Sequence, residues 1–211
     1  MDTCASPEKT SRGSMRMWLF NPFHRVAGGK ALALGIVSLL AAALLGSLGN
    51  AHFDGVLDFH QGPSAPVGLY VCEGLVDWLA LSIPLLLTGK LILRSRGRIV
   101  DVLGTQALAR FPSVLTAGLA LLPPHRRIIQ QLTSGQVQNL RDLQAQPPDM
   151  IVFAMVVLVI ILMTIWMVAL MYRAFSVSCN LRGGKAIGVF IGALIAGEVI
   201  SKVAFLAIHS H

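Results

Sequence analysis

Apolar runs dominate this chain, and polar residues gather at their ends. Ala31–Phe53 and Met150–Tyr172 contain no charged residue, and each exceeds the roughly 20 residues a helix needs to cross a bilayer. Three further runs carry a few charges. Val67–Leu93 holds Glu73, Asp77 and Lys90, Ile99–Leu122 holds Asp101 and Arg110, and Ala186–Ile208 holds Glu198 and Lys202. The pattern predicts an all-α integral membrane protein: a five-transmembrane-helix bundle with spans near 31–50, 67–93, 99–122, 150–172 and 186–208. The third is the most interrupted, because Arg110 and Pro112 sit at its centre. The first run outlasts the roughly 7–15 residues of a signal-peptide core, so it is expected to stay as a span. Gly49-Asn50-Ala51 still offers a small-residue cleavage site.

The polar segments differ in character. Residues 1–14 are small, polar and basic and read as a disordered tail. Residues 15–30 turn amphipathic, with Met15, Trp18, Leu19, Phe20 and Phe23 beside Arg16 and Arg25. Aromatic residues favour the headgroup level, and basic ones attract anionic lipid. An interfacial arm along the cytoplasmic surface is expected there. Residues 94–98 form a tight basic turn, which makes spans two and three an antiparallel hairpin. Residues 54–66 are acidic and turn-rich. Residues 123–149 lie between Pro123-Pro124 and Pro147-Pro148, with Ile128, Ile129, Leu132, Val137, Leu140 and Leu143 at near-helical spacing. They read as an outer loop carrying one or two surface helices, the alternative being a solvated loop.

Composition agrees with the spans. Of 211 residues 55% are hydrophobic and 13% charged, and the mean hydropathy is +0.70. A soluble domain carries about twice that charge. The net charge of +7 would suggest nucleic acid on a soluble domain, but here the placement of the charges speaks instead for the membrane. Eleven basic residues fall on one side: Lys9, Arg12, Arg16, Arg25, Lys30, then Arg94, Arg96, Arg98, then Arg173, Arg182, Lys185. The other side has Arg126, Arg127 and Arg141. The positive-inside rule puts the N-terminus in the cytoplasm and the C-terminus outside. Expected partners are the bilayer and its anionic headgroups, with no nucleic acid, and a second copy or another membrane protein as a further candidate.

Charges within spans need partners, because insertion costs roughly 2.5–3.5 kcal/mol each. The candidate residues are Glu73, Asp77, Asp101, Arg110, Glu198 and Lys202. Arg110 lies 12 residues from the basic turn, about 18 Å deep. Asp77 and Glu198 share that depth, while Glu73 and Lys202 lie nearer the outer surface. Arg110 is expected to pair with Asp77 or Glu198, and Lys202 with Glu198 or Glu73. Asp101, on the opposite helix face from Arg110, is expected to meet Arg94, Arg98 or Lys90. These residues form either interhelical clamps or a proton or solute pathway.

Other motifs carry less. Gly184, Gly188, Gly192 and Ala196 recur every four residues, and Ala31, Gly35, Ala42 and Gly46 repeat the theme in span one. Such smooth faces let helices approach closely, and packing within the bundle is expected for both. Gly28-Gly29-Lys30-Ala31 and Gly183-Gly184-Lys185-Ala186 lack the hydroxyl of a phosphate loop. Met155, Met163, Met167 and Met171 line one side of span four and read as packing residues. Six scattered histidines, three separate cysteines and no nucleophile motif leave no metal, cofactor or catalytic constellation in view. A non-enzymatic protein without cofactors is expected.

Two stretches carry a resemblance. Met17-Trp18-Leu19-Phe20-Asn21-Pro22-Phe23 resembles the entry to the first span of bacterial members of the Yip domain family, five-span relatives of the Rab-GTPase-interacting Golgi membrane proteins. The stretch from Asp101 to Pro112 is similar to their third span. The resemblance would cover residues 15–208. It implies a five-helix bundle in a bacterial inner membrane with a cytoplasmic N-terminus, and no enzymatic chemistry. The Asp-Leu-Tyr-Gly-Pro motif of the eukaryotic relatives is missing from the short arm, so GTPase binding is not implied. The expected function is a structural, scaffold or membrane-organising role. The alternative is a small proton-linked transporter or channel that uses the intramembrane charges.

Overall fold

The structure is a computed structural model that describes residue 15 and residues 17–95, 97–133 and 147–209. The fold rests, among the described residues, on α1 (Gly28–Gly49), α2 (Val67–Leu91), α3 (Ile99–Ala109), α4 (Pro112–Ala120), α5 (Pro123–Thr133), α6 (Pro147–Ser178) and α7 (Gly184–His209). Four of them, α1, α2, α6 and α7, are long and apolar enough to cross a membrane, and a fifth span exists if α3 to α5 count as one bent unit. The bend between Ile99–Ala120 and α5 is 81°. Two consecutive prolines, Pro123 and Pro124, account for that corner, since neither can donate to the preceding turn. The expected tail 1–14, and Val137, Leu140 and Leu143 of the outer loop, lie outside the described residues. Within that loop α5 does form a helix, and it buries His125 and Ile128.

The middle of the third run breaks where the sequence is most polar. Pro112 has no N–H for the carbonyl of Leu108. The chain tightens instead, with Phe111 N–H donating to Leu108 O at 3.0 Å and Ser113 N–H to Arg110 O at 2.9 Å. Arg110 therefore sits at a step between α3 and α4.

Small residues decide which helices touch. A Cβ on Gly35 would fall 2.4 Å from Ala107 Cβ, and one on Gly104 would fall 2.6 Å from Gly28 O. These gaps bring α1 and α3 into direct backbone contact. Gly197 does the same for α7 on α2, where its Cβ would lie 3.0 Å from Ala80 O. Pro84 is four residues beyond Ala80 and cannot take that carbonyl. The glycine stripe of span one thus packs as expected. That of span five does not: a Cβ at Gly184, Gly188 or Gly192 would meet nothing within 4 Å. The helix turns Ala186, Phe190 and Ala193 inward instead, because the bulkier Phe190 buries more apolar area in the core.

Two segments outside the long helices enter that core. Phe23, in the 3-10 turn Pro22–His24, and Val56, between α1 and α2, both join Leu81, Leu85, Phe175 and Phe190. The arm lies against α6, where Trp166 Nε1 donates to Leu19 O at 2.9 Å. Trp166 is 12 residues inside the helix from Ser178, about 18 Å, so this part of the arm runs beside the bundle and not flat across its end.

Candidate functional site

The segment read as an acidic outer loop folds back into the bundle. Asn50 closes α1 in a left-handed conformation (φ 52°) and reverses the chain. Strand β1 (Ala51–His52) then pairs antiparallel with β2 (His60–Gln61), with His52 opposite His60. Gln61 Nε2 donates to Gly49 O at 3.0 Å and to Ala120 O at 3.1 Å. One side chain thus satisfies orphan carbonyls at the ends of both α1 and α4. The tip, residues 53–59, reaches Pro112, Thr116, Met163 and Met167 at the helix step.

The nine residues from His52 to His60 read the same from both ends at three of the four pairs of positions about Val56: His52/His60, Phe53/Phe59 and Asp54/Asp58. The fold uses each pair. The two imidazoles stack with centroids 5.5 Å apart, and the two phenyl rings lie 5.3 Å apart. The two carboxylates converge on Lys202, Asp54 at 3.6 Å and Asp58 in direct contact. Val56 is 1% exposed.

The predicted charged residues hold this hairpin. Glu73 on α2 accepts from Phe53 N–H at 3.1 Å and contacts His52 Nδ1 at 2.8 Å. Glu198 on α7 accepts from Leu57 N–H at 3.0 Å. Asp77, Arg110 and Ser201 form the deepest group: Arg110 Nη1 lies 3.8 Å from Asp77 Oδ2, Arg110 Nη2 donates to Asp77 O at 2.8 Å, and Ser201 Oγ bonds Asp77 Oδ1. This joins α2, α7 and the step between α3 and α4. The Arg110–Asp77 pair is one of the two expected for that arginine. The pairing expected for Lys202 is corrected, because it turns to Asp54 and Asp58 and leaves Glu198 and Glu73 to the hairpin backbone. A backbone N–H entering a bundle must be satisfied there, and a carboxylate is its strongest acceptor.

Asp101 stands apart. It lies in the first turn of α3, where a negative charge is favoured by the helix dipole. Among the described residues it makes no ion pair, so the expected contact with Arg94, Arg98 or Lys90 is also corrected. Its carbonyl accepts from Thr105 Oγ1 at 2.6 Å and Ser178 Oγ at 3.2 Å, stitching α3 to the end of α6.

His52, Asp54, Asp58, Gln61 and Ser201 complete the site and were not singled out from the sequence. The mirror order around Val56 was the available signal for the first three. His52, outside the spanning helices, has its pKa raised above 6.5: the Glu73 hydrogen bond is the main cause, burial opposes it, and Pro63 O, 3.0 Å from Nε2, adds to it. Asp54, Asp58 and His60 also bring three potential metal ligands within 4.8 Å of one another. Lys202 already places its ammonium against both carboxylates, so a metal ion there would face a like charge. Where the tip meets the step, the remaining cavity is about 10 Å³, room for one water at most.

Compared with family models, curated proteins and solved structures, the chain finds no match in any of the three.

Proposed function

We propose that this chain is a non-enzymatic, five-span membrane protein of Yip-like type with a scaffold or membrane-organising role. α3 and α4 serve as the third span, and α5 lies across the outer surface. The N-terminus faces the cytoplasm of a bacterial inner membrane, the C-terminus lies outside, and the basic end meets anionic headgroups. One observation carries the choice of scaffold over transporter. Glu73, Asp77, Arg110, Glu198 and Lys202 are each engaged by another helix or by the inserted hairpin. Charges spent on holding a fold are clamps, and a conducting path needs groups that water can reach.

Proteoliposomes test this reading. Purified protein should pass protons no faster than empty vesicles under an imposed pH gradient, while Asp77→Asn should lower its melting temperature. Flux in the wild type, abolished by an Asp77→Asn variant that melts normally, would establish the transporter instead. Reporter fusions test the topology: both chain ends in one compartment would overturn the five-span arrangement.

A further inference from the structure

At the end of the bundle opposite the hairpin a cavity of about 570 Å³ opens between the arm and the turn joining α6 to α7. Its size falls in the range of small-ligand sites, roughly 300–1,000 Å³. Asn21, His24, Tyr172, Arg173, Ser176 and Arg182 contribute to its wall, and among the described residues no carboxylate does. Arg173 and Arg182 are exposed, and among the described residues neither makes an ion pair. Two guanidiniums facing one space, with no carboxylate between them among the described residues, suit a phosphate, which arginine binds through paired N–H donors. The wall includes Gly183 (φ 90°), immediately before α7. The first N–H groups of a 26-residue helix start at this wall without intrahelical acceptors, and they add a positive partial charge.

A second feature is independent of charge. Asn21 Oδ1 is buried and has no hydrogen-bond partner. Asn21 also makes no side-chain capping bond to the 3-10 turn that it begins. An unfilled acceptor beside two arginines that make no ion pair among the described residues suits a ligand that carries a hydrogen-bond donor close to its phosphate, once the Asn21 side chain turns Oδ1 from its buried position toward the cavity. Inorganic phosphate also carries a P–OH donor at neutral pH, so the acceptor alone does not choose the ligand; the glycerol of a phospholipid headgroup meets the requirement with hydroxyl donors a few bonds from the phosphodiester. The cavity's neighbours favour the lipid. Met17, Trp18 and Phe20 of the arm are exposed, and Arg25 stacks on Trp18 at 5.5 Å. An apolar strip that runs from the cavity down the side of α6 suits acyl chains, and Arg25 marks its polar edge.

We propose that this cavity is a specific site for the headgroup of an anionic glycerophospholipid, with Arg173 and Arg182 on the phosphodiester and Asn21 accepting from a headgroup hydroxyl. The proposal rests on the reading of this end as a bilayer surface. It assigns one bound lipid to a defined place, beyond the general attraction of a basic face.

The test uses the full chain in detergent micelles, with phosphatidylglycerol or phosphatidylcholine added, bound lipid counted by native mass spectrometry, and the shift in melting temperature recorded. One phosphatidylglycerol should bind per chain and raise the melting temperature, with phosphatidylcholine at least tenfold weaker. Arg173→Gln with Arg182→Gln should weaken phosphatidylglycerol at least tenfold. Arg94→Gln with Arg98→Gln removes the same charge from the neighbouring turn and should change it less than twofold. Asn21→Leu, which keeps both arginines, should lose the preference for phosphatidylglycerol over phosphatidic acid. Equal losses in the two arginine pairs would overturn the proposal in favour of diffuse surface charge. Displacement of the lipid by millimolar inorganic phosphate would overturn the lipid as the ligand. A pair variant with an altered lipid-free melting temperature is replaced by Arg173→Lys with Arg182→Lys, which keeps the charge and should still weaken binding. Failure of the wild type to co-float with liposomes would instead break the membrane reading itself.

Discussion

The two ends of the bundle treat charge in opposite ways. At the hairpin end, Glu73, Glu198 and Lys202 turn inward and are spent on the backbone and carboxylates of residues 52–58. At the other end Arg173 and Arg182 stay exposed around an open cavity and make no ion pair among the described residues. The difference follows from what each charge can reach. A hairpin that enters a bundle brings its own unsatisfied N–H groups, and these recruit acceptors. A turn at a surface has water and lipid to meet, so its cations need no protein partner. Ionic groups at one end therefore determine structure, and those at the other remain available to bind.

The largest effect should come from the deepest charge. Arg110→Ala leaves Asp77 buried without its cation and should cost about 3–5 kcal/mol. Unfolding of the detergent-solubilised protein would measure it, and a loss under about 1 kcal/mol would erase the contrast between the ends. A neutral version of the contrast compares two glycines in the same kind of stripe. Gly35→Leu forces side-chain atoms into Ala107 and should cost at least about 3 kcal/mol. Gly188→Leu meets open space and should stay within about 0.5 kcal/mol. If Gly188→Leu proved as costly, α7 would have a partner on its outer face.

Smaller effects probe the hairpin. Glu198→Leu removes the acceptor of Leu57 N–H, at about 1–3 kcal/mol. Val56→Cys should react slowly with a water-soluble maleimide when Glu198 is kept and faster when combined with Glu198→Leu. Equal rates would mean that Glu198 does not hold the tip. The pH dependence is subtler. His52 has a folded pKa above its unfolded value, so its charged form stabilises the hairpin. That contribution is complete below about pH 6.5, and it is lost as pH rises through the higher folded pKa. The melting temperature should fall over that window, and His52→Gln should flatten the fall. The smallest effect is expected at the open end: Arg182→Gln alone should change stability by less than about 0.5 kcal/mol, which separates its role in binding from any role in folding.

The long helices were legible because a run such as Ala31–Gly49 has few alternatives in a folded chain. Their boundaries were less so: α6 extends to Pro147–Ser178, beyond the expected 150–172, because its flanking polar residues continue the helix past the apolar run. The Arg110–Asp77 contact could be anticipated because depth along a helix is simple arithmetic. The partner of Lys202 could not. It depends on a seven-residue tip turning inward, and the composition of residues 54–66 looks like that of any solvated turn. Only the mirrored order from His52 to His60 hinted at a hairpin.

From the amino-acid order alone came the all-helical class, the candidate membrane-crossing segments and the need for buried charges to find one another. Each rests on local properties: length, hydropathy and the cost of an ion in an apolar medium. Tertiary structure decided which carboxylate meets which cation, which glycine stripe packs, and that an acidic loop becomes an internal plug. Those outcomes turn on how several helices share a limited interior, where the backbone of one segment competes with the side chains of another for the same acceptors. No single stretch of sequence contains both competitors.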